Sequence, residues 1–366
     1  MEKFLTERNM KLDKFKNIEF LRFLFILVII ACHIKQGVTN AFNIEIYQNF
    51  NNFIRFSWLP VDFFFIIAGF FMFLKTDFSV NFISFAKNKF IRLMPTVLGV
   101  LGIIFILSLF IKPLNWIHHE NLFTILNLQN VGLTTKNGNI PPSWFVSTLF
   151  WVMCFYFYLY KCVKREYFNL ITASMVFICY SIFLHVPSSW NIANYFYFIN
   201  MGVVRGLAGI GAGYFLCILY QNYKEKIKNA KLTLPKTLLI TGIELYVFIN
   251  LFYYLCFSDT KYKNMLFFIL LFIILFILFI CKKGFFSKLL ENNFSVLLGK
   301  YTYSIFLIHY LIKDLWKIYI VKGYETFCLT HPIINIVALF IVTLFAGVLT
   351  YHIIEKPAAT YFKKFK

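Results

Sequence analysis

Long apolar runs, separated by short polar and mostly basic connections, dominate the chain. Ten of them are long enough, or nearly so, to cross the hydrocarbon core of a bilayer, which takes about 20 apolar residues as a helix. They lie near 18–37, 58–74, 92–111, 144–160, 168–186, 196–220, 237–257, 264–281, 298–318 and 333–354. Helix is the expected form, because a backbone in lipid must satisfy its own hydrogen bonds. No internal repeat and no soluble domain interrupts the pattern. The expected fold is all-α, a polytopic membrane helix bundle of about ten transmembrane helices in one domain over 1–366. Residues 1–17 read as a cytoplasmic N-terminal segment and 355–366 as a basic tail, with no appended soluble domain. The first run does not read as a cleaved signal peptide, since Arg22 interrupts it and no small-x-small site follows His33.

Composition agrees: 60% of residues are hydrophobic and 14% charged, with a mean hydropathy of +0.71, outside the soluble range. The net charge of +20 raises nucleic acid as a partner, but the distribution argues against it. With ten alternating spans and a cytoplasmic N-terminus, 25 of the 36 Lys and Arg fall on inner segments and 9 on outer ones. That is the positive-inside bias, and it puts both termini in the cytoplasm. The expected partner of these charges is the bilayer, not a polyanion. The eight cysteines show no metal spacing, and Cys32 beside His33 points about 100° away from it on a helix. In the outer loop 112–143, His118-His119-Glu120 has two readings, a metal site or part of an amphipathic segment lying on the membrane surface. Adjacent side chains diverge and no third ligand is spaced to help, so the second is favoured and no metal is expected.

Ionisable groups inside the runs are costly in hydrocarbon and need a partner or a cavity. Arg22 and His33 share the first run. Eleven residues at about 100° each return His33 to within roughly 20° of Arg22, about 16 Å further along the axis. One face thus offers a cation near one surface and a base nearer the other; the alternative is a snorkelling Arg and a His bonded to a neighbouring helix. Asp62 opens the second run, as an N-cap or as a polar group of the channel. Arg205 lies deep in the sixth run among small residues suited to close helix packing, and Glu244 is a candidate partner. His309 sits in mid-run. Lys89 and Arg92 are i,i+3 neighbours at the inner surface, either a phosphate grip or a topological flank. Trp144, at the start of the fourth run, fits an interfacial anchor.

Six segments carry a resemblance. They are Glu19-Phe-Leu-Arg22 through His33, Val61-Asp62-Phe-Phe-Phe-Ile-Ile-Ala68-Gly69, Lys89-Phe-Ile-Arg92-Leu-Met-Pro95, Pro141-Pro142-Ser143-Trp144, Tyr303-Ser304-Ile-Phe-Leu-Ile-His309 and Ile354-Glu355-Lys356-Pro357. In this order and spacing the chain resembles the acyltransferase-3 family of integral-membrane acyltransferases, which O-acylate bacterial surface glycans and lipids. It departs from the family pattern at Ala68, where Ser is usual, at Lys89 for Arg, and at Leu149 and Ala208, where acidic residues are frequent.

The resemblance implies transfer of an acyl group, acetyl by default, from cytoplasmic acyl-CoA to a hydroxyl of a surface polysaccharide or lipid-linked sugar. It implies a multi-pass protein of the bacterial cytoplasmic membrane, alone, as a homo-oligomer or beside glycan-synthesis partners. His33 would be the general base, with Arg22 also given a catalytic role. Arg22, Lys89 and Arg92 would hold the CoA phosphates. Glu19, Asp62, Trp144, Arg205, Tyr303, Ser304 and His309 would line the substrate path or channel, without a metal. The rival reading is a glycan or lipid exporter of the same fold, although the broken helix pairs of many transporters are missing. The charge bias generates a topological expectation. Single cysteines near Gly138 should react with an impermeant reagent from outside, and cysteines near Lys228 should not; outside labelling at both refutes the ten-span arrangement.

Overall fold

The computed structural model describes residues 15–38, 56, 58–111, 119–134, 138–186, 191, 194–257 and 265–364, without the side chains of 35–38, 257, 265 and 363. His118 and most of the segment 1–17 lie outside the described residues. The elements run α1 Lys16–Val38, α2 Pro60–Lys75, α3 Phe82–Ser108, α4 Glu120–Ile125, α5 Ser143–Cys162, α6 Arg165–His185, β1 Tyr195–Phe196, β2 Ile199–Asn200, α7 Met201–Asn229, α8 Leu234–Phe257, α9 Met265–Cys281, α10 Phe285–Leu289, α11 Asn293–Trp316, α12 Glu325–Thr330, α13 Pro332–Thr350 and α14 Lys356–Lys363. The two strands form one short antiparallel pair.

Each expected apolar run contains a helix. Among the described residues, seven helices are long and apolar enough to cross a membrane by length and composition. The expected spans at 58–74, 264–281 and 298–318 form α2, α9 and α11 but fall outside those seven. The first two are short, at 16 and 17 residues, and α11 carries Lys300, Lys313 and Asp314. The third span also begins earlier than expected. Asn81 caps α3, its side chain accepting from the Ser84 N–H at 2.7 Å. The helix then runs through Pro95, so Lys89 and Arg92 lie within it and not at its edge.

Between helices in lipid there is little hydrophobic drive, and association depends on close packing and polar contacts. The tightest pair is α2 with α7. Its contact surface consists of glycines: a Cβ on Gly69 would collide with the Ile210 carbonyl, and one on Gly213 with the Ile66 carbonyl and the Phe70 amide. Gly209, four residues before Gly213, packs against the Phe65 side chain. The Gly-Ile-Gly-Ala-Gly stretch thus lets two backbones touch. Helices α6 and α5 flank α7, while α11 takes α1 on one side and α13 on another. After α13 the chain widens into a π turn over Tyr351–Glu355 before α14.

On the loop side, α4 is turned inside out relative to a soluble helix. Asn121, Thr124 and the following Gln129 are buried, whereas Leu122, Ile125 and Leu126 are exposed. Thr124 Oγ1 donates to Gln129 Oε1 at 2.8 Å and Ser147 Oγ to Asn127 Oδ1 at 3.0 Å, which fastens the segment to α5. Leucines outward and amides inward suit a segment lying on a membrane surface.

The glycine seam predicts unequal effects for one substitution. Gly213→Ala forces α7 away from α2 backbone and should lower stability by about 1–3 kcal/mol, the usual cost of overpacking. Gly242→Ala, where no atom lies within 4 Å of the added carbon, should be neutral or stabilising by up to about 1 kcal/mol from helix propensity. Thermal unfolding of the two variants in one detergent checks the ordering.

Candidate active site

Among the described residues, the expected site residues lie mostly in three polar groups. The first is sealed. Arg205 on α7 grips Asp62 on α2 with both ends of its fork, Nε to Oδ1 at 3.1 Å and Nη2 to Oδ2 at 2.8 Å. Nη2 also donates to the Trp58 carbonyl at 3.2 Å. The guanidinium lies 5.4 Å from the Trp58 and Phe183 rings and 5.7 Å from Trp144, within cation–π range. The side chains are 2% and 1% exposed. Asp62 is therefore not an N-cap: Leu59 holds that position, and the carboxylate two residues into the helix pairs across the bundle instead. Glu244 does not partner Arg205 either. It accepts from the Gly284 and Ser287 amides at 3.3 and 3.1 Å, capping α10.

The second group gathers where α1 starts and α2 and α13 end. Arg22 Nη1 bonds Glu19 Oε2 at 2.6 Å, and both remain partly exposed. Arg92 lies within electrostatic reach of Arg22, Glu19 and Glu355, and Lys75 within reach of Glu19, Arg92 and Arg22. Glu355, the last residue of the π turn, accepts from Ser304 Oγ. Tyr303 Oη donates to the Leu93 carbonyl at 2.7 Å and ties α11 to α3 beside Arg92. Among the described residues this cluster gathers three cations against two carboxylates, a surplus of positive charge that favours an anion. Gly299 admits Glu19 to the α11 surface, for a Cβ there would strike the Glu19 side chain. Lys89 lies 5.2 Å over the Phe85 ring and near Cys154 of α5.

The third group lies along the same α1–α11 seam, towards the other end. His33 Nδ1 is 3.0 Å from Tyr310 Oη, with the two rings 4.7 Å apart. The His309 ring stacks on His33 at 5.1 Å. His309 is 2% exposed, and its Nδ1 meets the Phe306 carbonyl at 2.6 Å, so it donates there. Beyond Tyr310, Lys313 Nζ sits 3.9 Å over the tyrosine ring. Seam and spacing therefore put Arg22 with the cluster of cations and His33 with a histidine and a tyrosine.

A family model for an acyltransferase domain matches residues 15–352. The chain belongs to the acyltransferase-3 family. No curated protein and no solved structure matches it. With its apolar helices, membership makes it a multi-pass membrane protein of an acyltransferase family.

Among the expected site residues, the fold brings Glu19, Arg22, Arg92, Tyr303 and Ser304 together, and His33 with His309. Asp62, Arg205 and Trp144 form their own cluster, and Lys89 lies over Phe85 near Cys154. Three residues of these groups were not singled out by the sequence reading. Lys75 ends its helix, where a lysine ordinarily serves topology, Glu355 is a letter of the closing motif, and Tyr310 directly follows the motif histidine. The motifs at Ile354–Pro357 and Tyr303–His309 pointed to the last two without giving a role.

The sealed pair predicts a recovery by double substitution. Arg205→Met alone leaves a buried carboxylate unpaired and should cost about 3–5 kcal/mol, whereas Arg205→Met with Asp62→Leu should regain most of it. Yield and melting temperature of single and double variants test this; a double variant no better than the single refutes the pairing as the main role.

Proposed function

We propose that the protein is a membrane O-acyltransferase that moves an acyl group, acetyl by default, from cytoplasmic acyl-CoA to a hydroxyl of a cell-surface glycan or lipid-linked sugar. The cell would be bacterial and the membrane its cytoplasmic one, crossed about ten times with both termini inside. The observation that carries this reading is the α1–α11 seam, with a cluster of cations at one end and a paired histidine further along.

In this reading the CoA phosphates enter between Arg22, Lys75 and Arg92. Charge-assisted bonds to phosphate are stronger than neutral ones, and a guanidinium presents a planar fork to the phosphate oxygens. The extended pantetheine arm follows the seam and brings the thioester carbonyl to His33. His33 takes the proton of the acceptor hydroxyl as its oxygen attacks the carbonyl carbon. The tetrahedral intermediate collapses with cleavage of the carbon–sulfur bond, and the imidazolium returns the proton to the departing thiolate. The acylated hydroxyl and free CoA leave, with no other reactant consumed. Lys89 enters this account only as a flank of the site.

The test is thiol release from acetyl-CoA by membranes carrying the full chain, with mass spectrometry of surface glycans to identify the acceptor. His33→Gln keeps a polar side chain but cannot take up a proton, and should lower turnover by about 10²–10⁴ while the protein still folds. Arg92→Ala and Lys75→Ala should instead raise the KM for acetyl-CoA with a smaller effect on kcat. A folded His33→Gln protein with near-wild-type transfer removes His33 from the mechanism, and export of a glycan without thioester cleavage overturns the reading as a whole.

A further inference from the structure

We propose that Tyr310 is a positioning residue that fixes the proton of His33 on Nδ1 and so turns the Nε2 lone pair to the acceptor hydroxyl; this rests on the reading of His33 as the base. A neutral imidazole carries one N–H and one lone pair, and the partner of one nitrogen decides the state of the other. The partner here is Tyr310 Oη, 3.0 Å from Nδ1. A phenol oxygen can accept from Nδ1–H or donate to a bare Nδ1. Only the first arrangement gives a base at Nε2. It also survives the reaction, because the imidazolium formed when Nε2 takes the proton still needs an acceptor for its Nδ1–H.

The surroundings hold both rings in register. The Tyr310 ring is tilted 54° to His33 and has the Lys313 ammonium 3.9 Å over it. Behind His33 stands the His309 ring, at 30° to it. That ring is anchored by the Phe306 carbonyl and is almost fully buried. It is a wall that limits rotation of His33, and Tyr310 supplies the hydrogen bond that selects the tautomer. Residues 309 and 310 are neighbours on one helix, so a single turn of α11 provides both.

Tyr310→Phe removes only the hydroxyl and keeps the ring. Thiol release from acetyl-CoA by membranes carrying the full chain should fall about 10- to 100-fold in kcat, the range for losing a group that orients a histidine, with KM nearly unchanged. The acid limb of the kcat/KM profile should move to lower pH, because the imidazolium loses an acceptor. In a His33→Gln background the same change should add little, since the two residues act as a unit. An acid limb that moves to higher pH means that the hydroxyl donates to Nδ1, and it overturns the tautomer. A lower melting temperature and higher KM with kcat unchanged mean a structural tyrosine and overturn the proposal too. Wild-type turnover in Tyr310→Phe with an inactive His33→Gln overturns it while leaving His33 as the base. Normal turnover in both variants removes the base and the positioning residue together.

Discussion

A guanidinium far from water has to be neutralised where it stands, and the bundle is arranged around doing that for Arg205. Asp62 meets it with two hydrogen bonds from the facing helix, and three aromatic rings close the remaining sides. Such a pair in low dielectric contributes little as net attraction but is severe if broken. It therefore fixes α2 against α7 at one height and one rotation. The glycines of α7 make the same demand by shape, since Gly209 and Gly213 admit α2 only where Phe65, Ile66 and Phe70 present their backbone or Cβ. Charge and shape agree on one register, and α5 and α6 pack against the unit so formed.

With that half of the bundle locked by a closed pair, the α1–α11 seam carries the charge that is not closed. Arg22, Lys75 and Arg92 outnumber Glu19 and Glu355, and Arg22 and Glu19 keep part of their surface. Three cations held near one another repel, and the two carboxylates offset only part of that repulsion. The surplus is what an anionic ligand would relieve. Gly299 matters for the same reason that Gly213 does: it sets how near two helices come, and here the nearness puts Glu19 between Arg22 and α11.

The helices were largely legible in the sequence because apolar length is a local property. Each expected run contains a helix, and the face shared by Arg22 and His33 follows from the helical repeat. Boundaries were less legible where a polar side chain sets them, as Asn81 does for α3. Pairings were not legible. Asp62 and Arg205 are 143 residues apart, and Glu244 was as plausible a partner until the fold assigned it to the amides of Gly284 and Ser287. Lys75 was hidden by its position, since a lysine ending a span is usually topological, and only the arrival of α1 and α3 beside it gives it another role. Lys89 shows the converse. Three residues put it on the side of Arg92, but the helix turns it over Phe85 towards α5.

The departures from the family pattern gain a physical sense from the same pairing. Position 208, where relatives often have an acidic residue, is Ala in this chain and is fully buried on α7. Arg205 already has a carboxylate, a backbone carbonyl and three rings around it. A second carboxylate one turn away would add a buried negative charge with only half a cation to share. With Asp62 bound on both oxygens, an alanine there leaves no charge unpaired. A change that reads in the sequence as a lost polar group is, in this bundle, consistent with a core whose charge is already balanced.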